Sequence, residues 1–511
     1  MAPKENFYIT TPIYYVNDVP HIGHAYTSIA TDVISRFMRL DGRNVKFLTG
    51  TDEHGQKVEK SAEKFGMEPQ AFTDKNSATF RRMMKELNIS NDDFIRTTEE
   101  RHINAVGIFW EKLMQNGDIY LGKYSGWYSV RDEAFYGEDE LTEDGLAPTG
   151  APVEWVEESS YFFKLSKWQD KLLEYYEKNT TFIIPESRRN EVISFVKGGL
   201  TDLSISRTSF NWGIKVPGNE EHVIYVWLDA LTNYISALGY PNQDEEFKSY
   251  WPASAHIVGK DILRFHAVYW PAFLMSAGLE LPKSIVAHGW WTNEGQKISK
   301  SLGNVIDPFG LIEEFGLDPV RYFLMREVTF GSDGNFSKDS LIMRNNSELS
   351  NKIGNLVQRT TSFVFKYCNE SVPAVEPSYY KEAYNTPILK SILSIAEQNI
   401  KAMEAFQINK VLDNIIQITE QANIYIDKEA PWNLKNTDII KMHQVLYNLL
   451  EVIRLIGIML QPFVPDSAGK ILDQLSVPQN MRSHAHLTNE FALKPLSPLM
   501  SPSPIFPRFE K

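Results

Sequence analysis

A chain of 511 residues with a formal net charge of −13 is long enough for several domains and too acidic for a generalised binder of polyanions. Hydrophobic residues make up 43% and charged residues 23%, the balance of a soluble globular protein with a sizeable core. The single cysteine, Cys368, excludes an intrachain disulfide and a cysteine-built zinc knuckle, and no signal-like or membrane-spanning apolar run stands out, so a cytoplasmic protein without a membrane partner is expected.

The first strand signal is Phe7-Tyr8-Ile9-Thr10, which runs through a loop into Pro20-His21-Ile22-Gly23-His24. A helix is predicted over 24–40, with Ala25, Ile29, Val33 and Phe37 on its buried face and a stop at Asp41-Gly42. Val45-Lys46-Phe47-Leu48 is the next strand. This βαβ unit predicts a parallel sheet with ligands off the carboxyl ends of its strands. Two histidines three apart at a helix start share a face, and the free N–H groups there favour an anion. Gly23 between them would admit something bulky against the backbone. Taken alone, the motif fits a helix start with two partly satisfied histidines equally well. The second strand leads into Gly50-Thr51-Asp52-Glu53-His54-Gly55, beside the first loop in such a sheet. Asp52 could then face the same ligand or cap the helix predicted over 56–65.

Residues 117–217 change character: 123–136 is aromatic and short-stranded, 148–152 is rich in turn residues, and 165–178 alternates at helical spacing. The α/β pattern resumes at His222 with the apolar run Val223-Ile224-Tyr225-Val226-Trp227, read as a strand, followed by Leu228-Asp229-Ala230. His256-Ile257-Val258 leads into Gly259-Lys260-Asp261-Ile262 and then a helical segment with Phe265-His266. The last strand, over 284–288, opens into Lys297-Ile298-Ser299-Lys300-Ser301. From about residue 345, helical periodicity dominates. Apolar stripes within 388–406, 411–419 and 445–456 predict a helix bundle. Residues 346–511 contain 16 Lys+Arg and 16 Asp+Glu, so the acidic excess lies upstream and the neutral C-terminal third is the easier partner for a nucleic acid. The tail over 494–508 contains five prolines and is predicted to lie extended across another domain.

The four motifs at Pro20 to His24, Gly50 to Gly55, Gly259 to Asp261 and Lys297 to Ser301 stand in an order that resembles the class I aminoacyl-tRNA synthetases, and in detail the methionyl-specific family among them. The resemblance runs from about Phe7 to at least Trp432. It implies an α/β fold: a Rossmann-type parallel-sheet catalytic domain split by an inserted connective domain, followed by an all-α anticodon-binding helix bundle. The corresponding boundaries are 1–117 and 218–292 for the catalytic halves, 118–217 for the insert, 293–345 for the lysine loop with a stem-contact region, and 346–511 for the bundle with its tail. The implied reaction activates L-methionine with ATP, accompanied by Mg²⁺, to methionyl-adenylate and pyrophosphate, then transfers methionine to the 3′ end of tRNA(Met).

Charge stabilisation at a crowded α-phosphate is the chemical problem in that reaction. His21 and His24 can donate to phosphate oxygens, and Lys297 and Lys300, on a Gly-bounded loop, can close on departing pyrophosphate. Gly23 and Gly259 border the ATP site, and Asp261 can accept from the ribose hydroxyls. Asp52 is suited to the α-ammonium group. By the resemblance, the methionine side chain is walled by Ile13, Tyr15, Trp227, Ala230, Leu231, Tyr234 and His288, where sulfur over aromatic rings is worth about 0.3–1.5 kcal/mol. Trp227 and Tyr234 also fit ordinary core aromatics. In the bundle, Asn355 and Arg359 share a helical face and Trp432 follows Pro431, a pattern that matches anticodon reading. Trp432 at a bundle end also fits a core aromatic.

Family members often carry zinc knuckles in the insert; with no cysteine between Gly117 and Pro217, no zinc is expected here. Isoleucyl, valyl and leucyl relatives usually carry a large editing insert for which there is little room, and cysteinyl relatives use an active-site cysteine. A non-tRNA HxGH nucleotidyltransferase would not need the helical third, and an inactive tRNA-binding paralogue would not need His21, His24, Lys297 and Lys300 together. A monomer is expected.

Overall fold

The chain opens with a strand at Lys4–Thr10, buried in its second half, and the first helix spans Ile22–Leu40. In the computed structural model, which describes residues 4–17, 19–132, 134–298 and 303–510, these begin a seven-stranded sheet. Its order is Tyr14–Tyr15, Arg43–Asp52, Lys4–Thr10, Ala255–Gly259, Ile285–His288 and Ile183–Ile184, with Asp93–Arg96 also paired to Arg43–Asp52. Ile9 lies opposite Ala255, Val258 opposite Ala287 and Thr51 opposite Arg96, all in parallel register. A parallel sheet is covered on both faces, and the strands Ala255–Gly259 and Ile285–His288 are accordingly buried at every position. On one side of Lys4–Thr10 stands the strand reached through the first helix; on the other stands Ala255–Gly259. The order of the sheet reverses there, which opens a crevice beyond the carboxyl ends of these two strands.

Two expectations are corrected. The apolar run at 223–227 does not join this sheet. Asn219–Ile224 pairs antiparallel with Ser206–Arg207 and Lys215–Val216 in a separate three-stranded sheet, and Val226 begins a helix to Ser236 that is buried at every residue. A continuous apolar run has no period to tell a buried strand from a buried helix. Nor is the insert wholly separate. Ile119–Ser129, Ala134–Tyr136, Glu154–Phe163 and Leu203–Ser204 do form their own antiparallel sheet. Ile183–Ile184, however, pairs with Ile285–His288, and Trp168, Leu172 and Tyr176 share one apolar cluster with Tyr8, Leu48 and Trp270.

The chain forms two compact units, Asn6–Thr31 with Lys46–His288, and Met1–Glu5 and Asp32–Val45 with Gly289–Lys511. The second contains the helices Pro387–Glu404, Ile408–Glu429 and Ile439–Leu460, which carry the predicted apolar stripes. Contrary to the sequence reading, Ile439–Leu460 is long and apolar enough to cross a membrane, yet it is the buried centre of the bundle. Its fully buried Glu451 and Arg454 pair at 2.9 Å and also bond Tyr384. The proline-rich tail is extended as predicted, but it lies against its own helical part and not across another domain: Leu496 donates to Val372, Met500 to Gln474, and Asn346 exchanges two hydrogen bonds with Phe509.

Within this unit, Arg321 on the Leu317–Arg326 helix is fully buried and donates to Asp32 at 2.6 Å and to the carbonyls of Pro462 and Phe463 at 2.9 and 3.2 Å. Asp32 lies midway along the first helix, so one guanidinium pins that helix to the end of the bundle's central one. Removing one partner of a buried pair typically costs about 3–5 kcal/mol; Arg36, 2.7 Å from Asp32 on the same helix, would still compensate part of its charge and put the loss at or below the low end of that range. Arg321→Met is therefore expected to lower the urea midpoint by a corresponding amount, measured by tryptophan fluorescence; an unchanged midpoint would deny the pair this role.

Candidate active site

The start of the first helix is capped by imidazoles. Nδ1 of His21 accepts from the Gly23 N–H at 3.1 Å, and Nδ1 of His24 accepts from the His21 N–H at 3.1 Å. A nitrogen that accepts carries no proton, so in each neutral ring the proton sits on Nε2, which is a donor. Burial lowers the pKa of His21 against the opposing pull of Asp261; burial and then the neighbouring His21 take His24 well below the ordinary histidine range. Both rings are neutral near pH 7. Their centroids are 3.9 Å apart, and Tyr14 and Phe80 hold the His24 ring edge-on at 5.0 and 5.2 Å. A Cβ at position 23 would stand 2.9 Å from Cε1 of His21. Gly23 thus makes room for the His21 ring.

Across the crevice, the strand Ala255–Gly259 ends where a Cβ at position 259 would meet Oδ1 of Asp261 at 2.4 Å. Glycine there lets the exposed Asp261 fold back over the strand end, close enough to influence His21. His288, at the end of the next strand, is 2.8 Å from Thr27 Oγ1 and lies edge-on to Tyr26 at 5.1 Å; its Cε1 would be 3.7 Å from a Cβ on Gly259. His288 thus packs beside the first helix and Gly259.

The aromatic pocket contains two further histidines. Trp227 lies flat on Phe265, 3.6 Å between centroids and 6° between planes, and edge-on to Tyr15 at 6.4 Å. Tyr234 stacks on His256 at 4.0 Å, and its hydroxyl is 2.7 Å from Nε2 of His266. Nδ1 of His266 donates to the Ile262 carbonyl at 2.9 Å, and burial pushes this histidine down to about 4. Its Nε2 must then accept, so Tyr234 donates and its oxygen remains an acceptor. Ile13, Ala230 and Leu231 are buried in the same apolar cluster, with Tyr15 packed against it. The buried indole N–H of Trp227 and Nε2 of His256 have no hydrogen-bond partner among the described residues, and a ligand could satisfy them. Sequence reasoning missed Phe265, His256 and His266. Phe265 and His266 sit in a π-helical turn, Phe265–Tyr269, directly after the Gly259-Lys260-Asp261 motif, a wide turn that leaves no periodic mark.

Asp52 ends its strand 2% exposed, opposite Tyr15, with its carbonyl accepting from Val16. The following helix, Gln56–Lys64, starts at Gly55 without a side-chain cap, so Asp52 is not engaged as one. Lys297 ends the short strand Gln296–Lys297, antiparallel to Trp291–Asn293; Lys300 and its neighbours Ser299 and Ser301 lie outside the described residues.

In the second unit, Arg359, Phe363, Ile426, Pro431 and Trp432 line a cavity of about 370 Å³. Trp432 is 38% exposed, so it is not a core aromatic. The Arg359 guanidinium lies 5.6 Å from the indole centroid and bonds Asp427 at 2.8 Å. Asn355 is exposed at the head of the Asn355–Tyr367 helix but does not line the cavity; Phe363 and Ile426, unnoticed in the sequence, do.

A family model described as class I tRNA synthetases (M) matches residues 7–361, and a second, the anticodon binding domain of methionyl tRNA ligase, matches residues 380–510. The methionine-tRNA ligase of Rickettsia felis is 68% identical over 507 residues, covering 99% of both chains, and that of Brucella suis is 55% identical over 513 residues, covering 99% of this chain and 98% of its own. The solved methionyl-tRNA synthetase of Mycobacterium tuberculosis in complex with methionyl-adenylate superposes with a TM-score of 0.95 at 49% identity, covering 99% of this chain and 100% of that one. Its apo form gives 0.89 at 46% identity with both chains fully covered.

The neutral His266 makes a testable demand on stability. Unfolded, it takes up a proton near pH 6.5; folded, only near 4. Stability conferred by keeping it neutral is fully present above about pH 6.5 and is lost as pH falls toward 4, up to about 3 kcal/mol for such a difference. His266→Gln should therefore show a shallower decline in urea midpoint between pH 6.5 and 4 than the parent; parallel declines would refute the assignment.

Proposed function

We infer, from a chain that belongs to the class I methionyl-tRNA synthetases and is a methionine-tRNA ligase, which side chains perform its two steps. In the first step a carboxylate oxygen of methionine attacks the α-phosphorus of ATP; the carboxyl–phosphate bond forms and the bond to pyrophosphate breaks. In the second, a ribose hydroxyl at the tRNA 3′ end attacks the activated carbonyl and AMP leaves.

The observation that carries the reading is the protonation of the histidine pair. Backbone donors engage both Nδ1 atoms, so His21 and His24 offer two preoriented Nε2–H groups from a helix start, where negative charge is favoured. Donors fixed before the reaction stabilise developing phosphate charge without reorganising. Gly23 keeps the His21 ring in place, and Gly259 keeps Asp261 folded over the strand end, to accept from the ribose. Lys297 and Lys300 supply positive charge to the departing pyrophosphate. Mg²⁺ enters as the partner of ATP; among the described residues no group of three His, Cys, Asp or Glu side chains is poised to hold a metal. The insert is held without zinc by aromatic pairs such as Trp127 with Trp155, centroids 5.3 Å apart.

Asp52 takes the ammonium group of methionine. The side chain enters among Ile13, Tyr15, Trp227, Ala230, Leu231, Tyr234 and His288, joined by Phe265 and His266, with His288 held by its bond to Thr27. A thioether accepts weakly and donates nothing, and flat aromatic faces suit it. Catalytic halves at 1–117 and 218–292 around an insert at 118–217, a lysine loop and stem-contact region at 293–345, and a bundle with tail at 346–511 complete the reading. In the bundle, Arg359 and Trp432 take an anticodon base of tRNA(Met) into their cavity, with Asn355 at its approach. The protein works as a cytoplasmic monomer with no membrane partner; that the long apolar helix found among the described residues is buried fits the absence of a membrane span.

Losing one preorganised donor typically costs about 10²- to 10³-fold in rate. His24→Ala and Lys300→Ala should lower methionine-dependent pyrophosphate exchange by that much while methionine binding without ATP is unchanged; parental exchange rates would remove either residue from the site. Stacking of a base on an aromatic ring is worth about 1–3 kcal/mol. Trp432→Ala should accordingly weaken tRNA charging about tenfold or more and leave pyrophosphate exchange intact. Equal loss of both activities would indicate a folding defect, and unchanged charging would exclude Trp432 from recognition.

A further inference from the structure

A buried carboxylate lies outside every role described so far. Asp229, fully buried on the Val226–Ser236 helix, is 2.7 Å from Nδ1 of His54 through one oxygen and 2.7 Å from Nε2 of His102 through the other. A carboxylate only accepts, so both rings donate to it. Burial alone would raise the Asp229 pKa; the two histidines outweigh it and hold the group below its usual range. The other nitrogen of His102 is 2.8 Å from Ser236, one hydroxyl at the far end of the same helix.

The placement of this network gives it meaning. Trp227, Ala230, Leu231 and Tyr234 fall at i, i+3, i+4 and i+7 on the pocket face of the helix, and Asp229 projects about 100° away from Ala230. His54 is two residues from Asp52. Each residue between them and just after is anchored: Glu53 takes Arg96 at 2.7 and 2.9 Å and Thr98 at 2.7 Å, His54 takes Asp229, and Gly55 donates to the Trp212 carbonyl at 3.0 Å. Of these anchors, His54 is the one that reaches the pocket helix. Burying a carboxylate is expensive, and short charge-assisted bonds hold distances within narrow limits.

We propose that Asp229, acting through His54, is a positioning residue that fixes the distance between the ammonium acceptor Asp52 and the pocket helix, so that methionine is gripped at both ends at once. This rests on the roles given above to Asp52 and the pocket.

The test compares L-methionine with its deamino analogue, 4-(methylsulfanyl)butanoate, which has the same side chain and no ammonium group. Geometric misplacement of about 1 Å can cost up to 10²-fold. In His54→Ala, the Kd for methionine by fluorescence titration and its KM in pyrophosphate exchange should rise about tenfold or more, with the KM for ATP unchanged and the inhibition constant of the analogue within about twofold. His54→Asn, whose amide nitrogen takes the place of Nδ1, should restore methionine binding to within about threefold. Should His54→Ala fail to fold, as judged by thermal unfolding, the isosteric Asp229→Asn takes its place with the same expectations. Methionine binding at the parental level in these variants overturns the proposal, as does an equal loss for the analogue, which would make Asp229 a support of the pocket alone. Asp52→Asn separates the two levels of inference: if it leaves methionine binding intact, the role of Asp52 itself is wrong, whereas a loss in Asp52→Asn without one in His54→Ala refutes only the link through Asp229.

Discussion

A helix of 19 residues leaves its first N–H groups without partners inside the helix, and whatever accepts from them determines what that end can do. Here the acceptors are two imidazole nitrogens, and the consequence is chemical. A serine or aspartate cap would satisfy the backbone and present nothing further. A histidine cap consumes Nδ1 and turns Nε2 outward as a donor, so the demand that stabilises the helix also sets the tautomer of the site. The surroundings maintain that state. Tyr14 and Phe80 strip water from His24, the His21 ring needs a glycine beneath it, and Asp32 further along the helix is locked to Arg321.

Charge is distributed by the same logic of exposure. Carboxylates with fixed partners are buried: Asp32 with Arg321, Glu451 with Arg454, Asp229 between two histidines. Asp261 is exposed at the reversal point of the sheet, where a ligand has access. The histidines of the pocket go the other way. Burial keeps His256 and His266 neutral, and the bond of His266 to the Ile262 carbonyl fixes where its proton sits, so the aromatic pocket gains polar rings but no formal charge from them.

Much of this was legible in the sequence. The βαβ opening, the loop after Thr10, the strand ending in Gly259 and the bundle's three stripes were set by periodicity and by punctuation at glycine and proline, and the structure follows them closely. What escaped had no period. Ile183–Ile184 is a strand of two residues inside an apparent insert. Residues 223–227 are apolar throughout and divide between a strand and a helix. His266 reaches the aromatic pocket because a π-helical turn rotates it there, and His288, at a strand end where a motif reading expects a ligand group, bonds to Thr27. Asp229 looked like a flank to Trp227; only the three-dimensional approach of His54 and His102 reveals what it holds.

The ion pair between Arg359 and Asp427 has a consequence for how an RNA loop would meet the bundle. Asp427 is exposed, so the pair is weak in water and salt loosens it further. A base edge that takes the Arg359 nitrogen now bonded to Asp427 must displace this carboxylate, and for that donor the protein carries its own competitor for the nucleic acid. Raising ionic strength then has two opposed effects: it screens attraction to phosphates and it frees the guanidinium. The salt sensitivity of tRNA binding should consequently be shallower than a count of phosphate contacts implies, and a base that offers Arg359 less than a carboxylate does will not hold it.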